Sequence, residues 1–217
     1  MVSADQQPVV VAAFDVDGTL TSRDCVVPFL VRIGGWSRVL RASVRHPVLL
    51  ASTALGRGDR DRLKEVVVGQ LVRGRNRASL DELGRRFALD AVAGWLRADT
   101  LARLRWHRES GHRVVLVSAS LRHYLDPLAA EVLGGVDAVL CTDVETDSSG
   151  TCTGRLDGGN CRGAEKSRRL SEWIGSRSAT IYAYGDSSGD TELLAMAHHP
   201  VRVRGVAIPT IPVEVLP

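Results

Sequence analysis

Two carboxylates follow an apolar run near the start of the chain. The run "VVVAAF" occupies residues 9–14, and Asp15, Asp17, Gly18 and Thr19 come soon after it. A carboxylate at the edge of a hydrophobic core raises the free energy of the folded state unless something compensates its charge. The pattern therefore indicates a metal site, a cage of hydrogen bonds or an exposed turn. A calcium-binding EF-hand loop is excluded, because the glycine and the glutamate that such a loop requires are missing.

Further polar residues lie at or after other apolar runs. Ser118 ends "VVLVS", Lys166 lies in "NCRGAEKSRRL", and Asp186 and Asp190 lie in "YGDSSGD". Taken singly, Ser118 could be a polar strand end, Lys166 a solvated helix residue, and the acidic stretch a helix-capping turn. Of the 28 basic residues, however, only Lys64 and Lys166 are lysines. A lysine in such a chain suggests a position that needs a compact ammonium group.

Together, these residue types meet the electrostatic demands of phosphoryl transfer. Asp15 and Asp186 can hold Mg²⁺, which prefers a few hard oxygen ligands. The Ser118 hydroxyl and neighbouring backbone N–H groups can hold a phosphate at a strand-to-helix turn. Lys166 can offset the charge that Asp15 shares with the phosphate. Asp17 can protonate the leaving oxygen and later activate water.

The alternation of apolar runs with helical patterns predicts the fold. Five runs rich in β-branched residues are predicted strands: 9–14, 113–118, 136–141, 179–184 and 201–203. Helical patterns at 121–133 and 164–175 separate the later strands. Near-continuous apolar strands that alternate with helices are typical of a parallel sheet covered on both faces, so we expect an α/β fold. Turn residues at the centre of 144–156 predict a hairpin.

A long segment separates the first predicted strand from the second. Residues 15–112 are mostly helical in pattern, and the capping box "SLDE" at 79–82 predicts the start of a long helical stretch that Gly111 can terminate. The stretch 25–97 carries 14 basic and 6 acidic residues, whereas the rest of the chain carries 14 and 19. We therefore predict a basic helical insert at 22–95, at the sheet edge where α/β proteins bind ligands.

The candidate residues resemble the four motifs of the haloacid dehalogenase (HAD) superfamily, in the same order along the chain. The motifs are Asp15-Val16-Asp17-Gly18-Thr19, Ser118, Lys166 and Gly185-Asp186-Ser187-Ser188-Gly189-Asp190. The insert is similar to the helical cap of the phosphoserine phosphatase-like branch, which lies between motifs one and two. The resemblance implies a doubly wound, mostly parallel, Rossmann-like core at 1–21 and 96–217, with an inserted α-helical cap at 22–95.

The resemblance also implies a mechanism. Asp15 attacks the phosphorus and forms a phosphoaspartyl intermediate, while Asp17 acts first as acid and then as base. The implied phosphate-binding residues are Asp17, Gly18, Ser118, Ala119 and Lys166. The implied Mg²⁺ ligands are the Asp15 carboxylate, the Asp17 backbone carbonyl and Asp186, with Asp190 in support. An acid at the position of Asp17 favours a phosphatase or phosphomutase over the dehalogenases and phosphonatases of the superfamily.

Several positions depart from the phosphoserine phosphatase pattern. Gly18 replaces a serine that is common in motif one, Ala119 replaces a glycine after the motif-two serine, and Gly189 replaces an asparagine in motif four. In those enzymes a glutamate nine residues after the nucleophile binds the substrate amine, and Asp24 occupies that place here. Asp24 is therefore either a candidate for substrate recognition or a helix N-cap.

The basic cap has three possible interpretations. Its arginines are solvated on an amphipathic lid, they bind an anionic small-molecule substrate, or the cap face contacts a membrane and a lipid phosphate. We predict a small phosphorylated substrate, with lipid-phosphate hydrolysis at a membrane surface as the alternative. A nucleic-acid partner is not expected, because the chain is 5% aromatic, has a net charge of only +3 and contains no recognised binding motif. No oligomeric state is predicted.

A receiver-like signalling module is an alternative from a different class, because acids, Ser or Thr, and Lys also surround the phosphorylated aspartate of response regulators. The length of 217 residues and the lid over the aspartate argue against it. The four cysteines lack metal-ligand spacing, which indicates reduced thiols in a cytoplasmic protein. We expect neither a secretory leader nor a membrane span, since no run approaches roughly 20 apolar residues.

Overall fold

The computed structural model describes residues 8–47, 60–203 and 207–208. Its strands are β1 (Val9–Phe14), β2 (Arg113–Leu121), β3 (Ala138–Thr146), β4 (Cys152–Asp157), β5 (Ala179–Gly185) and β6 (His199–Arg202). Within this part of the chain they form a six-stranded sheet in the order β4-β3-β2-β1-β5-β6. Neighbouring strands are parallel, except that β4 pairs antiparallel with β3. The predicted α/β fold is therefore confirmed, and β3 and β4 form the predicted hairpin.

β1 lies at the centre of the sheet, between β2 and β5. Its side chains alternate between the two faces. Ala12 and Phe14 belong to one hydrophobic cluster, and Val11 and Ala13 belong to another. Both faces of the sheet are therefore covered, which explains why this strand is apolar along its whole length.

Helices lie between the strands along the chain. Those in the described residues are α1 (Val26–Val44), α2 (Arg60–Val72), α3 (Arg77–Asp90), α4 (Ala98–Glu109), α5 (Arg122–Pro127), α6 (Ala164–Ile174) and α7 (Thr191–Ala195). Single helical turns are found at Val16–Leu20, Val92–Trp95, Leu128–Val132 and Ser188–Asp190. The first four helices lie between β1 and β2, and the first three of them fall within the range 22–95. α5 with its following turn, and α6, match the helical patterns predicted at 121–133 and 164–175.

The stretch between Thr21 and Leu96, which we call the inserted segment, begins and ends at neighbouring points of the structure. Thr21 forms an antiparallel bridge with Leu96. The backbone N–H of Arg97 donates to the Leu20 carbonyl oxygen at 2.8 Å. The two connections therefore run side by side, just beyond the carboxyl end of β1.

The helical stretch predicted from "SLDE" to Gly111 is present but divided into two helices, and "SLDE" does not open the first of them. α3 begins at Arg77 and ends at Asp90, and α4 is a separate helix. Asn76 caps α3, since its side-chain oxygen accepts a hydrogen bond from the backbone N–H of Ser79 at 3.2 Å. The strand-like pairing that closes the inserted segment interrupts the helical path after Asp90. Gly111, with a φ of +72°, follows the end of α4 instead.

The inserted segment is also attached to the β3–β4 hairpin. The Gly74 N–H donates to the Cys152 carbonyl oxygen at 2.9 Å, and the Cys152 N–H donates to the Arg75 carbonyl oxygen at 2.8 Å. On α2, a Cβ added to Gly69 would lie 2.3 Å from the Gly154 carbonyl oxygen. Glycine therefore allows the helix backbone to approach the hairpin closely. These contacts hold the segment at a second place, away from the Thr21 connection.

His107 on α4 is buried against the sheet. Its Nε2 lies 2.7 Å from the Tyr184 hydroxyl, and its Nδ1 lies 2.8 Å from Nδ1 of His112. Burial lowers the pKa of His107 to about 3, with smaller contributions from His112 and Arg103. The imidazole is therefore neutral in the folded protein near pH 7. Because its pKa differs between the folded and the unfolded chain, the free energy of unfolding depends on pH through this residue.

His107→Gln should weaken the pH dependence of the free energy of unfolding. In the unfolded chain the histidine has its ordinary pKa of 6.5, whereas in the folded chain the pKa is about 3. The stabilisation is thus complete above the unfolded pKa and is lost as the pH falls toward the folded one. Between about pH 7.5 and about pH 5 the wild type should lose about 2 kcal/mol through this group, and the variant should not. Urea unfolding of both proteins at both pH values measures this difference, and equal losses would contradict it.

Candidate active site

The carboxyl ends of three adjacent strands bring the predicted motifs to one edge of the sheet. Asp15 follows β1, Ser118 lies in the second half of β2, and Asp186 follows β5. Because β1, β2 and β5 are parallel neighbours, these residues emerge on the same side. Lys166 approaches from the first turn of α6.

A cavity of about 560 Å³ opens at this edge of the sheet. All but one of the predicted site residues line it: Asp15, Asp17, Gly18, Asp24, Ser118, Ala119, Lys166 and Asp186. Asp190 is fully buried behind the cavity wall and contacts the site through Lys166. The wall also contains residues to which the sequence analysis gave no role: Ser22, Arg23, Arg162, Ser187 and Ser188. The predicted residues thus lie around one space, although they are far apart in the chain.

Lys166 is the buried cation of the site. Its side chain is only 3% exposed, and Nζ lies 2.5 Å from Oδ1 of Asp15 and 2.5 Å from Oδ1 of Asp190. Burial by itself would lower the pKa of Lys166, but the two carboxylates outweigh burial and raise the pKa above its usual value. The ammonium therefore stays charged, and it holds the two acids on either side of it.

The two acids that share Lys166 differ in their environments. Burial raises the pKa of Asp15 to about 7 against the pull of Lys166, and the charges of Asp190 and Asp17 add to the rise. The pKa of Asp190 is instead lowered, because Lys166 and hydrogen bonds from Ser187 outweigh its burial. The N–H and the hydroxyl of Ser187 both donate to Oδ2 of Asp190 at 3.0 Å. Asp190 is thus ionised and holds Lys166 in place, whereas the negative charge of Asp15 is stabilised less fully by its surroundings.

Three carboxylates at this place could hold a metal ion. Asp15, Asp186 and Asp190 each offer an oxygen, and these oxygens lie within 4.8 Å of one another. Burial raises the pKa of Asp186, and the neighbouring Asp190 raises it further. Lys166 contacts two of the three acids, so the group has an excess of negative charge. A divalent cation that prefers carboxylate oxygens fits this donor set.

The Asp17 carboxylate is held by two donors on the cavity wall. The backbone N–H of Cys25 donates to Oδ1 at 3.0 Å, and the Ser120 hydroxyl donates to Oδ2 at 2.6 Å. Burial, and next the charge of Asp24, raise the pKa of Asp17 against these hydrogen bonds. The sequence analysis missed Ser120, which lies two residues beyond the motif-two serine and is fully buried. The side chain of Asp17 is therefore oriented and able to carry a proton.

The absence of a side chain at Gly18 makes room for Asp186. Gly18 has a φ of +77°, and a Cβ added there would lie 2.3 Å from Oδ2 of Asp186. Serine at this position, which the phosphoserine phosphatase pattern favours, would therefore have to displace the carboxylate. The departure from that pattern has a steric reason in this chain.

The second half of β2 supplies Ser118 and Ala119. The Ser118 hydroxyl oxygen accepts a hydrogen bond from the backbone N–H of Ser120 at 3.1 Å. The Ala119 carbonyl oxygen accepts a short hydrogen bond from Nζ of Lys64 on α2, which also donates to Oδ1 of Asn160 at 2.8 Å. The two lysines of the chain thus both contact the site region, one as its buried cation and the other through the backbone of β2.

Arg162 explains why motif four has a glycine before its last aspartate. A Cβ added to Gly189 would lie 2.9 Å from Nε and 3.1 Å from Cγ of Arg162. The guanidinium donates to the Ser188 hydroxyl oxygen at 3.3 Å and lines the cavity. The arginine therefore lies over backbone that an asparagine side chain would otherwise cover. Nothing in the sequence around Arg162 predicts that its side chain lies at the cavity.

Asp24 is located where both of its predicted roles meet. Oδ2 accepts a hydrogen bond from the backbone N–H of Val27 at 3.0 Å, so the side chain caps the first turn of α1. The residue is exposed and also lines the cavity. The cap is an observed contact, and the position on the cavity wall leaves substrate recognition as a prediction.

The comparison of sequences identifies relatives over most of the chain. Residues 12–195 match the family model of haloacid dehalogenase-like hydrolases. Protein CicA of Caulobacter vibrioides is 39% identical over 196 residues, which cover 88% of this chain and 84% of that protein. The residues matched by the family model include every motif described above.

Solved structures share the fold. A protein of unknown function from Bordetella pertussis superposes with a TM-score of 0.73 at 26% identity, covering 87% of each chain. A substrate-bound phosphoserine phosphatase superposes with a TM-score of 0.62 at 14% identity, covering 88% of this chain and 84% of that one. At this identity the second likeness concerns the fold alone.

Gly18→Ala should weaken the binding of a divalent cation. The added Cβ would displace the Asp186 carboxylate, so we expect at least about tenfold weaker affinity for Mg²⁺ used as a probe. Gly111→Ala is the matched control, because Gly111 has a similar φ of +72° but no heavy atom within 4 Å of the added Cβ. The control should lose about 1 kcal/mol of stability and keep its affinity. Calorimetric titration and the Mg²⁺-dependent rise in Tm measure both effects, and an equal change in the two variants would refute this explanation.

Proposed function

The chain belongs to the haloacid dehalogenase-like hydrolase family, and we propose that it is a phosphatase that hydrolyses a small-molecule phosphomonoester through a phosphoaspartyl intermediate on Asp15. The observation that carries this proposal is the contact of Asp15 with the buried ammonium of Lys166 at the wall of the cavity. A nucleophilic carboxylate must be ionised when it attacks. Lys166 favours the ionised form of Asp15 in a place where burial alone would favour the neutral acid.

We assign the proton transfers to Asp17. The Cys25 N–H and the Ser120 hydroxyl fix the orientation of its carboxyl group. Burial raises its pKa, so the group can hold the proton that a leaving alkoxide needs and can later accept one from water. The position two residues after Asp15 supports a role beside the nucleophile.

We propose that the phosphate lies between the Asp17–Gly18 turn, the Ser118–Ala119 part of β2 and Lys166. Because the Ser118 oxygen accepts the Ser120 N–H, its own hydroxyl proton is available for a phosphate oxygen. Backbone N–H groups of Gly18 and Ala119 at the cavity wall would supply further donors. Lys166 would balance the charge that the phosphate adds to Asp15.

We propose Mg²⁺ as the cofactor. The Asp15 and Asp186 carboxylates and the Asp17 backbone carbonyl would hold it, and Asp190 would support them through Lys166. When bound, the ion would neutralise charge on the phosphate oxygens. The three mutually close carboxylates support this assignment.

We propose that residues 22–95 form a cap and that residues 1–21 and 96–217 form the catalytic core. The bridge between Thr21 and Leu96 supports these boundaries. Arg23 and Asp24 line the cavity from the cap side, so they are candidates for contacts with the part of the substrate beyond the phosphate. The parts of these ranges outside the described residues are 1–7, 48–59, 204–206 and 209–217.

We propose a cytoplasmic location. All four cysteines are buried free thiols, which is typical of proteins in a reducing compartment.

Among the described residues, no helix combines the length and the apolar character that a membrane crossing requires.

Asp15→Asn should abolish turnover. The wild type should hydrolyse p-nitrophenyl phosphate in a reaction that requires Mg²⁺, and a panel with phosphoserine, sugar phosphates and a lysophosphatidate should identify the preferred ester. The amide cannot form the acyl phosphate, so the rate should fall to background. Asp24→Asn is the control, since that side chain lies on the cavity wall and should change KM more than kcat. If the wild type showed no Mg²⁺-dependent turnover, as expected of a receiver-like module, the proposed function would be refuted.

Asp17→Asn should separate substrates by their leaving groups. Alkyl phosphates need a proton on the departing oxygen, so their turnover should fall by about 10²–10⁴-fold. p-Nitrophenyl phosphate, whose leaving group is a good one, should lose much less in its first step. The ratio kcat/KM reports the first step alone, whereas kcat also contains the hydrolysis of the intermediate that both esters share. Comparison of kcat/KM for the two esters therefore tests the assignment, and an equal loss would count against Asp17 as the acid.

A further inference from the structure

A break at Gly35 divides α1 into two halves. Gly35 has a φ of +75° and a ψ of 161°, values that interrupt the helical backbone. Before this point, Phe29 and Ile33 are buried. After it, only Val39 and Ala42 face the interior. The second half of α1 therefore presents most of its circumference to solvent.

Three large apolar side chains form a stripe on this exposed half. Trp36 is 69% exposed, Leu40 is 63% exposed and Val44 is 52% exposed. Residues four apart lie on one helix face, so these three side chains are neighbours. Among the described residues only two other large apolar side chains reach comparable exposure, Val27 and Leu89. A contiguous apolar stripe of this kind marks a contact surface rather than chance exposure. We call it the Trp36 stripe.

Arginines flank the Trp36 stripe. Arg38, Arg41 and Arg45 are exposed, and no Asp or Glu occurs in α1. At about 100° per residue they lie together on the side of the helix next to the stripe. In the described part of the chain none of the three forms an ion pair, whereas Arg32 in the first half of α1 pairs with Asp90 at 2.9 Å. The second half of α1 thus combines an apolar stripe with an unneutralised positive one.

We propose that the Trp36 stripe and its three arginines dock the protein on the surface of an anionic lipid bilayer. Tryptophan and aliphatic side chains enter the boundary between headgroups and acyl chains, while arginines reach the lipid phosphates. Each basic residue near an anionic surface adds to the binding. The contact is peripheral, and it requires no membrane-spanning helix. It does not rest on the proposed catalytic function.

Charge complementarity favours a bilayer over a second copy of this chain and over a nucleic acid. A second copy of this chain on a two-fold axis would bring the same arginines toward one another, and like charges oppose such a contact. A nucleic acid would satisfy the arginines but would leave the aliphatic side chains of Leu40 and Val44 in water. An anionic bilayer meets both demands at once.

Flotation of the full-length protein with lipid vesicles tests the proposal. One vesicle population contains phosphatidylcholine only, and the other contains about 30 mol% phosphatidylglycerol. The wild type should float with the anionic vesicles and remain mostly unbound with the neutral ones. Raising the salt concentration should reduce binding, because the arginine contribution is screened.

Two variants and two matched controls identify the surface. Trp36→Ser with Leu40→Ser removes the two most exposed side chains of the stripe, and its control Leu89→Ser removes an exposed leucine on α3. The charge variant combines Arg38→Gln, Arg41→Gln and Arg45→Gln. Its control combines Arg86→Gln, Arg105→Gln and Arg155→Gln, which changes the net charge by the same amount. Each test variant should lower the bound fraction by about tenfold or more, and each control should bind as the wild type does. Circular dichroism and turnover of p-nitrophenyl phosphate, which needs no membrane, verify that every variant is folded.

The possible outcomes decide the assignment. The docking surface is supported if the wild type and both controls bind anionic vesicles and both test variants do not. Wild-type protein that binds neither vesicle, or test variants that bind like their controls, would overturn it. Sedimentation velocity covers the remaining occupant: a dimer that the stripe variant abolishes, without vesicle binding, would assign the stripe to a second copy and overturn the proposal as well.

Discussion

The buried ammonium of Lys166 between two carboxylates is the interaction on which the site depends. It connects residues that are 151 and 24 positions apart in the chain, Asp15 after β1 and Asp190 before α7. Burying any one of these charges alone would cost several kcal/mol, so each is acceptable only with its partners in place. The contact therefore couples the end of the central strand, the start of α6 and the motif-four loop. Together these three places determine where the cavity lies.

Close packing of carboxylates requires bare backbone beside them, and glycine supplies it. A Cβ on Gly18 would meet Asp186, and a Cβ on Gly185 would lie 2.5 Å from Cβ of Asp190. Side chains at either position would push the acids apart and weaken their contacts with Lys166 or with a cation. The glycines of motifs one and four thus have a steric function, in addition to any freedom that they give to the loops.

The location of the chemistry could be predicted from the sequence because it depends on local patterns. An apolar run predicts a buried strand, adjacent parallel strands end at one edge, and polar residues just after such runs must meet there. Asp15, Ser118 and Asp186 satisfy this logic, and the cavity contains all three. The hairpin after β3 and helix α6 were predictable for the same reason, since turn residues and helical periodicity are short-range signals.

The sequence by itself determined the fold class, the strand ends and the residue types at the site, because these follow from hydrophobic periodicity and local turn chemistry. Only the tertiary structure shows which side chains hold the site residues. The Ser120 hydroxyl donates to Asp17, which is 103 positions away in the chain, and Lys64 donates to the Ala119 carbonyl oxygen, 55 positions away. The tertiary structure also decided that the helical stretch between α3 and α4 is interrupted, because Leu96 pairs there with the distant Thr21. Such contacts depend on how distant segments pack together, and no local pattern of residues encodes that packing.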